Sequence, residues 1–410
     1  MSVPNLELSI DRMGHGGVGI GTADDGRVVF VASAYPGDRV KIDITKEKKS
    51  FVTGEILEVI SPSKYRDKPT CQAAAAGAGC CDFATLDTTQ ETELKRSVFL
   101  DQLARIGKFS EIELPELNAV ELAPVRGWRT RVRFGVDENG KAGLRKKHSH
   151  ELVTQYPCSQ LVDGLSEGIV GAGARRFRPG AELIVAIDST GQRHVVESRK
   201  TGRGKRLEKV ERVLEGSGEV TEIVDGKTFR FPVTAFWQAH RAAPQAYSAI
   251  IEEWLADPGQ PAGKIGWDLY GGVGLFIPAI ARALSPENPA DSVLHSVDTS
   301  SAALENTQPA LQGLNVSMHK QHVEKAVAQL AAPDCVVLDP PRKGAGAAVI
   351  DEIAAADPKT VVHIGCDPAT CARDLRSWSD NGYRVDKLTL INAFPGTHHF
   401  ELMVLLRKSA

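Results

Sequence analysis

The sequence predicts an α/β chain in three parts: an OB-like antiparallel barrel, a central β-rich α+β region, and a doubly wound sheet over the C-terminal half. Three observations carry this. After about Glu222, the strand-like runs KIGWDLY, SVLHSVD, CVVLDP, TVVHIGC and YRVDKLTLINAF alternate with alanine-rich helical stretches, the rhythm of a sheet whose ligands bind beyond the carboxyl ends of its strands. From Leu6 to Ile60, the β-rich runs LELSI, RVVFVA, DRVKIDI and FVTGEILEVI are separated by the glycine-rich turns GHGGVGIG and YPGD, which suits a small barrel. From Trp128, the segment WRTRVRFGV and those near Leu152 and Leu183 read as strands. The expected boundaries are 1–62, 63–225 and 226–410.

A chain of 410 residues is too long for one ordinary core, and its 42% hydrophobic fraction supports packed domains. No apolar run approaches the roughly 20 residues that span a bilayer, and MSVPNLELSI lacks a signal core; a cytoplasmic protein with no membrane partner is expected. In that compartment the seven cysteines serve as thiols, thiolates or cluster ligands rather than disulfides. The net charge of −3 averages over regions of different character. Lys46, Lys48 and Lys49 lie on a barrel hairpin, and RKKH, ARRFRPG and SRKTGRGKRLEK cluster in the central region, interleaved with Trp128, Phe134 and Phe177. The barrel lysines suit a solvated turn and a phosphate contact equally; the central clusters are either solvated faces or an RNA-facing surface, and their recurrence in one region favours RNA. The stretch TTQETELKRSVFLDQLARIG has helical spacing and is expected to pack rather than bind.

The run Trp267-Asp268-Leu269-Tyr270-Gly271-Gly272-Val273-Gly274 ends a strand on glycines that let backbone approach a ligand. A dinucleotide loop would continue to a third glycine, but Ile277 holds that position and Pro278 follows. The next strand ends at Asp298, placed to accept from ribose hydroxyls or to cap a helix near Ser300. S-adenosyl-L-methionine offers a ribose and no phosphate.

Four further motifs stand in order: FWQAH (236–240), DPPRKG (339–344), HIGCDPATCARDL (363–375) and FPGTHHFELM (394–403). With the barrel, they resemble the RNA uracil-5-methyltransferase family over essentially the whole chain. The resemblance implies an N-terminal TRAM barrel, a Rossmann-like methyltransferase domain, S-adenosyl-L-methionine as methyl donor and RNA as partner. Cys366 then matches the nucleophile and Glu401 the base, while Gln238, Tyr270, Asp298 and Asp339 fall in the cofactor pocket. Carbon 5 of uracil is too weak a nucleophile unaided; a thiolate adding to carbon 6 activates it, and a base then removes the carbon 5 proton. A stacked target base must also be extruded. Cys335 and Cys371 are expected to be structural.

The chain departs from the family at three places. Many members carry a [4Fe–4S] cluster on a loop ending C-G-G-C plus one later cysteine; the corresponding set here is Cys71, Cys80, Cys81 and Cys158, with AGAGCCDF in the loop. Adjacent side chains point apart on extended backbone, and zinc is the alternative occupant. Gly271 stands where relatives often have cysteine, and Asp298 where glutamate is usual. The barrel favours ribosomal over transfer RNA as substrate. The rival readings are a cytosine-5-methyltransferase and an inactive RNA-binding or assembly module. No obligate protein partner is implied.

Overall fold

The computed structural model describes residues 5–147, 149–203, 206–256, 263–300 and 308–409. The barrel comprises β1 (Asn5–Ser9), β2 (Arg12–Gly14), β3 (Val18–Thr22), β4 (Val28–Ala32), β5 (Arg39–Glu47) and β6 (Phe51–Ser61), in the order β1-β5-β6-β4-β3-β2. The run expected as the turn GHGGVGIG is partly strand. Gly19 and Gly21 lie inside β3 because a Cβ at either would strike backbone oxygen, of Ala34 and Ser9 respectively. Asp38, fully buried, accepts from Arg66 Nε at 2.9 Å and Tyr35 N at 2.7 Å, which ties the barrel to the chain that follows it.

A short helix α1 (Gln72–Ala75) precedes α2 (Thr88–Arg105), whose cap Asp87 accepts from Thr89 N. As expected, α2 packs, burying Leu94, Val98, Phe99 and Leu103. Strand β7 (Leu117–Glu121) lies within the expected central region yet joins the C-terminal sheet, parallel to its edge. The central sheet contains β8 (Arg131–Val136), β9 (Ala142–Arg145), β10 (Leu152–Val153), β11 (Glu182–Ile187), β12 (Arg193–Arg203) and β13 (Arg206–Glu215). A hairpin of β14 (Glu219–Val224) and β15 (Lys227–Pro232) straddles the expected boundary at 225.

The C-terminal half adds α3 (Ala243–Leu255), β16 (Ile265–Leu269), α4 (Ile277–Leu284), β17 (Val293–Asp298), β18 (Asn315–Lys320), α5 (Val323–Ala326), β19 (Cys335–Leu338), α6 (Ala347–Ala355), β20 (Thr360–Gly365), α7 (Pro368–Asp380), β21 (Tyr383–Asn392) and β22 (Glu401–Lys408). Its sheet runs β18-β17-β16-β19-β20-β22-β21-β7, with β22 antiparallel to both neighbours. Helices cover both faces, so β19 and β20 are buried along their whole length. This is the Rossmann-like α/β fold with an N-terminal barrel that the sequence predicts.

Lys95 on α2 is fully buried among ionic and polar groups. Its Nζ donates to Glu91 Oε1 and Asn392 Oδ1 at 2.6 Å each, and to the Phe394 carbonyl at 3.2 Å. Glu91 accepts in turn from Gly396 N at 2.9 Å. Burial holds the Lys95 ammonium below its ordinary range, while Glu91 opposes that shift. Removing one member of such a pair strands the other in a dry site, at a cost of about 3–5 kcal/mol. Lys95→Met is therefore expected to lower unfolding stability by about that much, and Glu91→Gln/Lys95→Met by markedly less. A double variant as unstable as the single in chemical denaturation would contradict this.

Candidate active site

The strand ends assemble the site. Pairing of Leu269 with Val297 and with Leu338 brings Tyr270, Asp298 and Asp339 to one edge, each just past its strand or at its last residue. Gly365 pairs with Leu402, so Cys366, next along, lies across from Glu401, the first residue of the reversed strand. The sequence expectation placed His399 on that strand with Glu401; the strand instead begins at Glu401, and His399 precedes it, 3.3 Å from Arg342 Nη2.

On the cofactor side, Tyr270 adopts φ +62°, a left-handed conformation that a non-glycine residue adopts at a cost. Its N–H donates to the Val297 carbonyl at 2.8 Å. Asp298 accepts from Gly272 N at 3.0 Å and from Ser300 N at 2.6 Å, so its carboxylate bridges the glycine loop to the end of β17. The expected helix beyond Ser300 falls at 301–307, outside the described residues. Gly271 has a steric reason: a Cβ there would overlap the Asp268 carboxylate and the Ser296 hydroxyl. Those two groups are buried together at 3.1 Å, and burial pushes Asp268 up to about 7. Gln238 Nε2 donates to Asp339 Oδ2 at 3.4 Å, and desolvation raises Asp339 to about 7. Beside Gln238 opens a cleft of about 850 Å³ lined by Arg126, Thr130, Glu222, Trp237 and Arg241.

On the thiol side, Cys366 is half-buried and directly precedes Asp367, the cap of α7, which accepts from Ala369 N at 3.1 Å and Thr370 N at 2.9 Å. Burial, then the charges of Glu401 and Asp339, push the thiol up to about 12; Arg342 works against them. The positive end of α7 also favours a thiolate. Glu401 is 6% exposed and is held well above the usual carboxylate range by burial and by Asp339. Among the described residues, its Oε2 and the fully buried Tyr247 hydroxyl find no hydrogen-bond partner. The Tyr247 phenol is raised by burial and by the charges of Glu401, Asp339 and Cys366.

The loop leading to Glu401 is clamped from several directions. Trp128 Nε1 and Gln160 Nε2 donate to the Pro395 carbonyl at 3.2 and 3.0 Å, Phe83 N donates to the Gly396 carbonyl at 3.1 Å, and Lys95 and Glu91 hold Phe394 and Gly396. From the barrel, His15 Nε2 lies 3.2 Å from Asp367 Oδ2, so the barrel touches the residue after the thiol.

Sequence reasoning missed Tyr247, Asp268, Arg342 and His15. Arg342 lies inside a recognised motif and Asp268 inside the glycine-loop run; Tyr247 carries only helical spacing, which reads as core, and His15 meets Asp367 across the whole chain. One surface expectation is corrected. Trp128, Phe134 and Phe177 are buried, with Trp128 stacked on His240, so none can stack on a base. The neighbouring cations Arg133, Arg145, Arg175 and Arg178 are exposed, though each faces a glutamate. Lys46, Lys48 and Lys49 are exposed at the β5–β6 hairpin. Of the basic run 198–209, Gly204 and Lys205 lie outside the described residues.

The thiols of Cys71, Cys80, Cys81 and Cys158 converge, all sulfurs lying within 4.8 Å of one another. The adjacent pair both reach the group because Cys80 sits in a turn rather than on extended backbone. Cys335 and Cys371 are buried in the core, as expected. Among the described residues, no helix is long and apolar enough to cross a membrane.

Residues 317–409 match the tRNA (uracil-5-)-methyltransferase family model and residues 5–57 the TRAM domain. A Corynebacterium glutamicum protein described as an uncharacterized RNA methyltransferase is 52% identical over 97% of this chain and 95% of its own length. A similarly described Streptomyces avermitilis protein is 31% identical over 98% of each. Among solved structures, the tRNA (uracil-54, C5)-methyltransferase of Pyrococcus abyssi, in complex with S-adenosyl-L-homocysteine, matches with a TM-score of 0.70 and 18% identity, over 98% of this chain and all of that one, a likeness of fold. By its near-full-length relatives and its two matched domains, the chain belongs to the RNA uracil-5-methyltransferase family.

Proposed function

We propose that the protein methylates carbon 5 of a uridine in RNA, with S-adenosyl-L-methionine as donor and Cys366 bonded transiently to carbon 6 of the ring. One observation carries the reading: the strand register that sets Cys366 across from Glu401, with Asp339 and Gln238 along the same edge. The donor, when bound, supplies an electrophilic methyl group. Gln238, Tyr270, Asp298 and Asp339 are the residues proposed to hold it.

Cys366 adds to carbon 6 and leaves carbon 5 electron-rich enough to accept the methyl group. Glu401 then takes the carbon 5 proton, and the electron pair released re-forms the ring double bond as the sulfur departs. A carboxylate raised by burial is a stronger base than one in water, which suits that step. Arg342 offsets the negative charges around the thiol, and the unpartnered oxygens of Tyr247 and Glu401 are available to the pyrimidine. A buried carboxylate positioned to abstract a proton, together with a thiol at the strand edge, argues against an inert binding module.

Ribosomal RNA is the proposed substrate class, on the presence of the barrel. Transfer RNA is the second reading, favoured by the description of the matching family model and by the tRNA enzyme whose fold matches essentially all of this chain. The family resemblance also brings a [4Fe–4S] cluster to Cys71, Cys80, Cys81 and Cys158, where the sulfur spacing favours a single ion instead.

RNA containing 5-fluorouridine has no carbon 5 proton to lose, so it is expected to trap the protein as a denaturation-stable adduct in the presence of donor. Glu401→Gln should trap ordinary substrate RNA in the same way, and Cys366→Ala should trap neither. Absence of any adduct with RNA and donor bound would sink the mechanism. Mapping 5-methyluridine in ribosomal and transfer RNA from cells lacking the gene separates the two substrate readings.

A thiol raised to about 12 is mostly protonated at neutral pH, so adduct formation is expected to accelerate as pH rises from 7 to 9. Arg342→Leu removes the group that favours the thiolate. Its defect in adduct-formation rate should be about tenfold, the effect of raising the thiol by one pH unit, and should hold steady from pH 7 to 9, because both lie far below the thiol's range. A variant that forms adduct as fast as the unsubstituted protein across that range would remove Arg342 from this role.

A further inference from the structure

The cysteine group is built from three separate places: Cys71 caps α1, Cys80 and Cys81 follow that helix in a turn, and Cys158 lies between β10 and β11. The sulfurs of Cys71 and Cys80 stand 3.8 Å apart, those of Cys71 and Cys158 3.9 Å, and those of Cys81 and Cys158 3.5 Å. No pair exceeds 4.8 Å, and none of the four is in a disulfide. Those lengths discriminate between occupants. Four thiolates on one tetrahedral ion, each at about 2.3 Å, lie roughly 3.8 Å apart along every edge. In a four-iron cubane each thiolate binds a different iron, and the ligand sulfurs stand roughly 6 Å apart. The cage here has the size of one ion.

The surrounding backbone opposes enlargement. Gly79 N donates to the Arg145 carbonyl at 2.9 Å, Ala78 N to the Ala73 carbonyl at 2.9 Å, and Ala75 N to the Cys71 carbonyl at 3.0 Å. Cys71, Cys81 and Cys158 are buried in an apolar cluster with Ala73, Ala78 and Leu161. Gln160 N–H donates to Cys158 Sγ at 3.5 Å, an outer hydrogen bond of the kind that steadies a thiolate ligand. The guanidinium of Arg129 lies near enough to feel the charges of three of the thiols, which suits a tetrathiolate site carrying net negative charge.

We propose that Cys71, Cys80, Cys81 and Cys158 bind a single tetrahedral divalent ion of the zinc class, in place of the iron–sulfur cluster that the family resemblance implies. The site is a clasp for the catalytic loop. The residue after Cys81, Asp82, accepts from or pairs with His398 Nδ1 at 2.7 Å, and Phe83 N holds the Gly396 carbonyl at 3.1 Å. The ion therefore fixes a loop bonded directly to the segment that leads into Glu401. No step of the methylation passes through it, and the assignment is independent of the reaction proposed above.

The test is elemental analysis of the full-length protein purified both in air and anaerobically, together with its visible absorption. The expected result is about one zinc and negligible iron per chain, a colourless protein, and tetrahedral cobalt-thiolate absorption after cobalt exchange. Cys80→Ser should lower zinc content at least tenfold, whereas Cys335→Ala, away from the group, should retain it. About four irons with matching sulfide and a brown colour after anaerobic purification would overturn the proposal in favour of the cubane. Metal-free protein that binds neither added zinc nor cobalt would overturn it in favour of plain packing.

Discussion

Strand β22 runs against both of its neighbours, and much of the chemistry rests on that reversal. In a sheet of parallel strands, the ends that face ligands are all carboxyl ends, reached after the strand has been traversed. A reversed strand presents its first residue at the same edge, so Glu401 arrives beside Cys366 although the two come from opposite directions of chain travel. The register is pinned by burial: β20 is buried at all six residues and β22 at its first six, so a slip of one position would turn apolar side chains away from their packing partners. Backbone pairing thus holds the strand ends next to Cys366 and Glu401 in register, through Gly365 and Leu402.

The electrostatics of that edge follow from crowding. Asp339 raises the cost of ionising Asp268, Glu401 and the Cys366 thiol, and Glu401 adds to the cost at the thiol, while burial pushes all four the same way. Arg342 is the cation within reach that works in the other direction at Cys366 and Glu401. Such a site holds protons until a ligand rearranges the balance, and a carboxyl kept out of water retains the basicity that a carbon acid demands.

Much of this was legible in sequence where function sits in short contiguous runs. The glycine loop, DPP and HIGC each encode a strand and its end within about ten residues, so periodicity and turn chemistry place the strand ends, and the family resemblance of those motifs is what singles out Tyr270, Asp298, Asp339 and Cys366 there. Long-range pairings left no such trace. Lys95 has the helical neighbours of any amphipathic surface lysine, and only the arrival of Asn392 and Phe394 from the far end of the chain makes it buried. Trp128, Phe134 and Phe177 misled for the converse reason: basic residues flank them along the chain, while in space their rings face the core. For the cysteine pair the sequence leaves two backbones open, an extended one that parts the thiols and a bent one that gathers them, and the turn at Cys80 decides for the second.

The contact between His15 and Asp367 brings a barrel side chain to the residue that follows Cys366. Asp367 is also the residue whose carboxylate closes the first turn of α7 behind the sulfur. On the proposed mechanism, grip and turnover would share this joint: whatever shifts the barrel's glycine loop also shifts the cap behind the sulfur, and trimming the barrel away would disturb the catalyst itself as well as its hold on RNA.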